Sequence, residues 1–253
     1  MDTNETVEEN EARRFFEAVG LTVTRIPTAS TATADYFVDG DTIGYAVEVK
    51  TRRDDADALE TLRRGDTADS QRQLAHDAAI ERTARSARKQ LLGVDPAHDR
   101  LWILWFSLRA MLGSDASFQQ CLGTLYGIRD CIIDENGTAT ALDCFYARPG
   151  VFERWPEIDG ALISTETGFV GCINELSPRA EQVKRSRIMT RLGRATVVPS
   201  DLEARGSVFM AEGSTDRKDT HALQAALSTR YGREILVVDF THAWAAKLSQ
   251  KDS

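Results

Sequence analysis

The chain has 253 residues, a mass of 28.0 kDa and 42% hydrophobic residues, the composition of a globular protein that can bury a sizeable core. Its net charge of −8 and pI of about 5.1 argue against a general nucleic-acid coating protein, which would be basic, but allow an enzyme with a local basic groove. No apolar run is long enough to span a membrane, and the polar, acidic N-terminus has no secretory signal pattern. We therefore expect a cytoplasmic protein without membrane contact.

The first half of the chain predicts the element order α-β-β-β-α-β. Asp39-Gly40-Asp41 is turn chemistry, so residues 34–51 are expected to form a hairpin. Residues 101–108 are apolar almost throughout, which is typical of a strand buried on both faces. The predicted elements are a helix Thr6–Val19, strands Leu21–Ile26, Ala34–Val38 and Ile43–Thr51, a helix Ser70–Leu92 and a strand Leu101–Leu108.

The second half continues as mixed α/β. Asp134-Glu135-Asn136-Gly137 is a strong hairpin signal, and residues 161–173 predict a second hairpin. Beyond these we expect helices Pro178–Leu192 and Thr220–Tyr231 and a strand Ile235–Phe240. The sequence shows no clear domain boundary, and we expect a core over 1–110 with a mixed α/β extension over 111–253 packed on it.

The cysteines are spaced too widely for a CxxC-type zinc site, and no histidine lies close to any of them in sequence. Most of them fall in apolar runs that predict strands. We interpret all of them as small buried residues; they are Cys121, Cys131, Cys144 and Cys172.

The third predicted strand carries two charges inside an apolar run. Side chains alternate along a strand, so Glu48 and Lys50 point to the same face and Val47 and Val49 to the other. Burying such charges is costly unless they are paired or bound to a metal. Asp35 lies on the preceding strand, and the hairpin brings it beside Glu48.

Two converging carboxylates form a hard-oxygen site suited to Mg²⁺ or Mn²⁺. A metal held by Asp35 and Glu48 would lower the pKa of a bound water and stabilise charge on a phosphoryl oxygen. Lys50 would orient the attacking water or neutralise the developing negative charge. These residues together supply what phosphodiester hydrolysis requires.

Asp35, Glu48-Val49-Lys50 and the element order resemble the PD-(D/E)xK nuclease superfamily, which has the restriction-endonuclease-like fold. The resemblance covers roughly residues 5–108. It implies that Asp35 and Glu48 are metal ligands and that Lys50 is the catalytic lysine. Ala34 departs from the pattern, because the family has a proline before the aspartate. The resemblance also implies a nucleic-acid substrate and, by analogy with enzymes that cut two strands, a possible homodimer.

The resemblance further implies an acidic residue on the first helix. Glu9-Asn10-Glu11, which precedes Phe15-Phe16 and Gly20, looks like the corresponding stretch of archaeal Holliday-junction resolvases, and Glu9 is then the candidate. Helical geometry leaves Glu8 open as the alternative, because it lies nearer the centre of the apolar face.

Basic residues near these elements are candidates for phosphate contacts. Arg52 and Arg53 follow Lys50 directly, and several cations lie on the predicted helix 70–92, where interleaved acids also allow a solvated face. In many relatives a Gln or basic residue on that helix supports the site, which leaves Lys89 and Gln90 open. The most basic segment is 179–194, with Lys184, Arg185 and Arg187 as nucleic-acid-binding candidates.

One further segment superficially repeats the acidic pattern. Asp159 is followed by Asn174-Glu175-Leu176, but a leucine stands where the motif has its lysine. We interpret this segment as an ordinary hairpin without an active site.

These observations leave more than one function open. The favoured hypothesis is a Mg²⁺-dependent nuclease of the defence or repair type, acting on DNA, with RNA not excluded. The alternative is a catalytically inactive module of the same fold that binds nucleic acid or a protein partner. The simplest interpretation is structural, with Glu48 and Lys50 as a solvent-facing pair on an edge strand.

Overall fold

A computed structural model of the chain describes residues 5–27, 33–53, 60–61, 64, 68–73, 76–109, 114–135, 137–213, 215–238 and 243–248. Only the backbone is described at 68–73, 114, 135 and 243–248. The described residues fold as α/β with mixed sheets. None of the described helices is long and apolar enough to cross a membrane.

The elements follow in chain order. The helices are α1 Val7–Ala18, α2 Ala78–Val94, α3 Ser114–Tyr126, α4 Val151–Arg154, α5 Ala180–Arg185, α6 Arg187–Leu192, α7 Pro199–Ala204 and α8 Thr220–Tyr231, with a 3₁₀ turn at Gly193–Ala195. The strands are β1 Thr22–Arg25, β2 Tyr36–Asp39, β3 Tyr45–Arg53, β4 Ala68–Gln73, β5 Leu101–Arg109, β6 Arg129–Glu135, β7 Thr138–Phe145, β8 Gly160–Thr165, β9 Gly168–Ile173, β10 Thr196–Val197, β11 Val208–Met210, β12 Leu236–Val238 and β13 Ala243–Leu248.

The chain forms two compact units whose segments interleave. The first unit comprises residues 1–52, 79–108 and 155–198, and the second comprises 53–78, 109–154 and 199–253. The expected division at residue 110 stays a prediction about domain organisation. By compactness, however, residues 155–198 belong with the first unit, because β8 pairs directly with β5.

The first unit is built on a mixed sheet with the described strand order β1-β2-β3-β5-β8-β9-β10. β2 is antiparallel to β1 and β3, β5 is parallel to β8, and β8 and β9 form an antiparallel hairpin. The β5 strand is buried along its length except at its last residue, as its apolar sequence predicts. The predicted hairpins 34–51 and 161–173 are both confirmed.

One face of this sheet is covered by α1, α5 and α6. The α1 helix begins with a capping box between Thr6 and Glu9, and it buries Ala12 and Phe16 against the sheet. Gly20, with a left-handed φ of +83°, follows its end. Side chains from α5 and α6 join the same core as β3 residues Tyr45, Val47 and Val49; they are Val183, Ile188 and Met189.

The second unit contains a sheet with the described order β11-β7-β6-β12 and a separate ribbon of β4 and β13. The β6–β7 hairpin is confirmed, and its turn includes Gly137, whose N–H donates to Asp134 at 2.7 Å. The hydrophobic core of the second unit combines strand residues with Leu223 and Leu227 of α8. All the cysteines are free and buried, as expected from the sequence.

Two predicted helices differ from the structure. The helix expected from Ser70 begins only at Ala78, because residues 68–73 instead form β4 and pair with β13 near the C-terminus. The helix expected over 178–192 is interrupted at Ser186, which is extended (φ −63°, ψ 151°). There Asp41 accepts the N–H of Arg187 at 2.6 Å, and the Ser186 hydroxyl accepts that of Met189 at 3.4 Å. The first helix is shortened by a strand partner that is distant in sequence. The second is interrupted where side-chain oxygens of Asp41 and Ser186 accept backbone N–H groups in place of helical carbonyls.

Candidate active site on the Asp35–Lys50 hairpin

The register of the β2–β3 hairpin places Asp35 beside Glu48. The pairing ends with Tyr36 opposite Val47, and Asp35 and Glu48 are the next residues beyond that pair, close enough for the charge of Asp35 to act on Glu48. The backbone N–H of Asp35 donates to the Val47 carbonyl at 3.1 Å. The N–H of Val49 in turn donates to Asp35 Oδ2 at 2.7 Å, so one carboxylate oxygen is held against the neighbouring strand.

Lys50 lies on the same face as Glu48, and its ammonium group contacts Glu48 and Gln90. Its Nζ contacts Glu48 Oε1 and donates to Gln90 Oε1 at 2.9 Å. Gln90 Nε2 donates to the Thr33 carbonyl at 3.0 Å, which fixes the orientation of the amide. Of the two residues that the sequence left open on this helix, Gln90 makes the contact, whereas Lys89 is exposed.

The electrostatics of this cluster favour the uptake of positive charge. Glu48 is only 1% exposed, and its Oε2 has no hydrogen-bond partner among the described residues. Burial, together with the charge of Asp35, raises the pKa of Glu48 to about 8 despite the nearby Lys50 ammonium. Burial also raises the pKa of Asp35, although the hydrogen bond from Val49 opposes the shift. A proton or a cation shared by the Asp35 and Glu48 carboxylates would relieve the repulsion between their charges.

The donor set fits a hard divalent cation. The described residues contain no group of three or more His, Cys, Asp or Glu side chains able to hold a metal. Two carboxylates are nevertheless sufficient for Mg²⁺, which retains several waters and is commonly bound through one or two carboxylates plus substrate phosphate oxygens. The buried, unpartnered Glu48 Oε2 is an acceptor that such an ion would satisfy.

The acid predicted on the first helix is less closely joined to this cluster. Glu9 accepts the N–H of Thr6 in the capping box at 2.9 Å and an Arg25 guanidinium N–H at 3.3 Å. Its charge raises the pKa of Asp35, but no hydrogen bond joins the two. Glu8 is buried on the same helix face as Ala12. The choice between Glu8 and Glu9 stays a prediction.

A contact that the sequence did not indicate joins the start of α1 to Tyr36 of β2. The Tyr36 hydroxyl donates to Glu5 at 2.5 Å, and Arg13 and Asn10 donate to the same carboxylate at 3.0 Å. Burial alone would raise the pKa of Glu5, but these hydrogen bonds lower it to about 2. The interaction joins residues 31 apart in sequence, so no local pattern announces it.

The candidate phosphate-binding residues lie in two places, at the end of β3 and on α5 and α6. Arg52 continues β3 two residues beyond Lys50, so strand alternation places it on the same face, and Arg53 follows it with its side chain exposed. In the basic segment, Lys184 pairs with Glu175 at 2.6 Å, and the Arg187 guanidinium donates to the Gly20 carbonyl at 2.9 Å. Arg185 is 83% exposed, with Glu181 at 3.7 Å.

The segment that repeats the acidic pattern, Asp159 with Glu175, has a different environment from Asp35 and Glu48. Asp159 is fully buried and accepts hydrogen bonds from the Trp102 N–H at 2.8 Å, the Ser177 hydroxyl at 2.6 Å and His98 Nε2 at 2.9 Å. Its second acid, Glu175, pairs with Lys184 instead of approaching Asp159. These contacts join the starts of β5 and β8 to the chain before α5.

Comparison with known proteins assigns the chain to no family. No family model, no curated protein and no solved structure matches it. The contacts, burial and charge of its own residues are therefore what indicate its function.

Proposed function

We propose that this protein is a metal-dependent nuclease that hydrolyses phosphodiester bonds in DNA. The observation that carries the proposal is the convergence of Asp35, Glu48 and Lys50 on one face of the β2–β3 hairpin, with a buried Glu48 oxygen that lacks a partner among the described residues. Buried polar atoms in stable cores are normally satisfied, and a bound cation would satisfy this carboxylate oxygen.

The arrangement of elements supports a restriction-endonuclease-like core as part of this proposal. Helix α1 is followed by β1, β2 and β3, then by α2 and β5, with β4 inserted between β3 and α2. In the sheet, β3, which carries Glu48 and Lys50, lies between β2 and the buried β5 strand. Apart from the inserted β4, this is the α-β-β-β-α-β order that resembles the PD-(D/E)xK superfamily, and the mixed sheet is compatible with it.

Each residue has a separate task in the proposed reaction. Asp35 and Glu48 would hold Mg²⁺ or Mn²⁺, which when bound supplies an acidified water and stabilises charge on a phosphoryl oxygen. Lys50, with Gln90 fixing its position, donates hydrogen bonds to the attacking water or to a nonbridging phosphate oxygen. Its charge offsets the negative charge that develops at phosphorus.

The hydrogen bond between Lys50 and Gln90 matters because a lysine side chain has many rotamers. Gln90 Oε1 accepts from the ammonium, and the Thr33 carbonyl accepts from the amide nitrogen. The Lys50 side chain, which is 24% exposed, is thereby held at the rim of the cluster and not buried in it. A preorganised donor of this kind is worth more in a reaction than a mobile one.

The decisive experiment is a cleavage assay with Mg²⁺ or Mn²⁺ on supercoiled, linear, single-stranded and branched DNA and on RNA. Wild type is expected to cut DNA, and Lys50→Ala to lose activity by at least about 100-fold. Lys218→Ala, an exposed lysine outside the cluster, is the matched control and should cut like wild type.

Intact DNA and RNA with every metal, and no difference between wild type and Lys50→Ala, would contradict the nuclease proposal. Salt-sensitive DNA binding without cleavage would then favour the inactive nucleic-acid-binding module. Cleavage of RNA alone would keep the reaction and change the substrate.

A further inference from the structure

The cations of α2 fall into two groups. Arg85 pairs with Glu81 at 3.3 Å and lies over the Trp155 ring, and Arg88 pairs with Glu157. These cations are held by partners in the protein. Arg82 and Lys89 are exposed and have no ion-pair or hydrogen-bond partner among the described residues.

Helical geometry puts the unpaired cations in one row. Seven residues at about 100° each bring Lys89 to within about 20° of Arg82, and the two are separated by about 10 Å along the axis. Gln90, the next residue, is turned by about 100° toward Lys50, which it contacts at 2.9 Å. The row therefore runs along the solvent face of the helix that positions the candidate catalytic lysine.

The basic segment 179–194 is placed differently. Its hydrophobic residues Val183, Ile188 and Met189 share a core with Val47 and Val49. Strand alternation points Glu48 and Lys50 to the opposite face of the sheet.

Much of the charge of that segment is also engaged within the protein. Lys184 pairs with Glu175, and Arg187 and Arg179 donate to carbonyl groups. Arg191 and Arg194 remain exposed, but α6, which carries Arg191 and precedes Arg194, packs Ile188 and Met189 against the sheet face away from Glu48 and Lys50.

We propose that Arg82 and Lys89 form a phosphate-binding row that holds the backbone of duplex DNA beside the Asp35–Lys50 cluster. This inference rests on the proposed nuclease function and assigns the surface that engages the substrate. Measured along the duplex axis, a spacing of about 10 Å corresponds to roughly three phosphate steps of 3.4 Å. The unpaired cations are available for phosphates without first breaking an internal ion pair.

Counterion release gives the inference a quantitative test. The affinity of the wild-type protein for a duplex of random sequence is measured by fluorescence anisotropy from about 50 to 200 mM salt, in EDTA so that no cleavage occurs. Each phosphate contact contributes about 0.9 to the slope of log K against log salt. The double variant Arg82→Gln/Lys89→Gln is expected to reduce that slope by about 2 and to weaken binding at least 10-fold at low salt.

Arg191→Gln/Arg194→Gln is the matched control, since it removes the same charge from α6 and the 3₁₀ turn. It is expected to leave the slope within about 0.5 of wild type. Circular dichroism of each variant establishes that the fold is kept. An unchanged slope for the α2 variant, or an equal loss for the control, overturns the assignment, as does an absence of binding by the wild type.

The binding measurement also separates this inference from the proposed function. If the wild type binds DNA through Arg82 and Lys89 but never cleaves it, the nuclease proposal fails and the phosphate row stands. If DNA is cleaved and the α2 variant keeps the wild-type slope and KM, the nuclease proposal stands and the row is wrong.

Discussion

Two aspartates in the first unit precede hairpin strands, and their surroundings are opposite. Asp159 is fully buried, and both of its oxygens accept hydrogen bonds, from Trp102, Ser177 and His98. Asp35 shares its face with Glu48, whose second oxygen has no partner among the described residues. The first carboxylate is saturated by the protein, whereas the second belongs to a pair that still needs positive charge.

The difference distinguishes an acid with a structural role from one that we propose has a catalytic role. Burial raises the pKa of both aspartates, so burial does not separate them. What separates them is the balance of donors: the hydrogen bonds at Asp159 join three segments, while Glu48 Oε2 beside Asp35 has no partner among the described residues, and we propose that a cation satisfies it. Substitution at the two places should therefore affect different properties, stability at one and metal binding and reactivity at the other.

The largest expected effect is on stability at Asp159. Asp159→Asn is expected to lower the free energy of unfolding by about 3 kcal/mol, because one amide oxygen cannot serve all the buried donors. Asp35→Asn keeps an acceptor for Val49 and removes a charge that is costly to bury, so a change below about 0.5 kcal/mol or a gain is expected. Urea denaturation measures both. Equal losses would remove the distinction between the two sites.

Divalent cations should stabilise the protein through Asp35 and Glu48 and not through Asp159 and Glu175. With Mn²⁺ at about 100 times its Kd, the expected stabilisation is about 2.7 kcal/mol, or roughly 5–10 °C in Tm. Glu48→Gln is expected to abolish the shift, because it removes a ligand. Glu175→Gln, the corresponding acid of the segment that repeats the acidic pattern, should keep the shift. Calorimetry with and without Mn²⁺ checks this, and a shift that survives Glu48→Gln would exclude Glu48 as a ligand.

The pH dependence of stability should report Glu48 directly. Its pKa is raised to about 8 in the folded protein from an ordinary 4.5, so its contribution is full below pH 4.5 and is lost as the pH rises through about 8. In EDTA, wild type should lose at most about 1.4 kcal/mol per pH unit in this window through Glu48. Denaturation of Glu48→Gln should give a flatter curve. Parallel curves for the two proteins would show that Glu48 ionises normally.

The smallest expected effect concerns the positioning of Lys50. Gln90→Ala removes the acceptor that holds the ammonium, and we expect kcat for DNA cleavage to fall about 10-fold with little change in KM. The pH–rate profile should also shift, since Lys50 would interact more closely with Glu48. Gln182→Ala, an exposed glutamine on α5, is the control and should behave as wild type. A Gln90→Ala enzyme with wild-type kcat would show that the contact is structural only.

Much of the fold near the candidate site followed from local patterns. The apolar face of α1, the turn at residues 39–41 and the buried β5 strand all lie within short windows of sequence, so periodicity was sufficient to predict them. Elements defined by distant partners were missed. Strand β4 is made by pairing with β13, and the break at Ser186 depends on Asp41, which is 146 positions from Arg187.

The sequence by itself determined that Asp35, Glu48 and Lys50 share one face, because strand alternation and a short hairpin leave little freedom. Only the tertiary structure chose Gln90 over Lys89, since that choice depends on how α2 is rotated over the sheet. Only the tertiary structure separated Asp35 from Asp159, because hydrogen-bond saturation is a property of side chains gathered from distant segments. Pairing partners, burial and the pKa values they produce are decided by packing, which no local pattern contains.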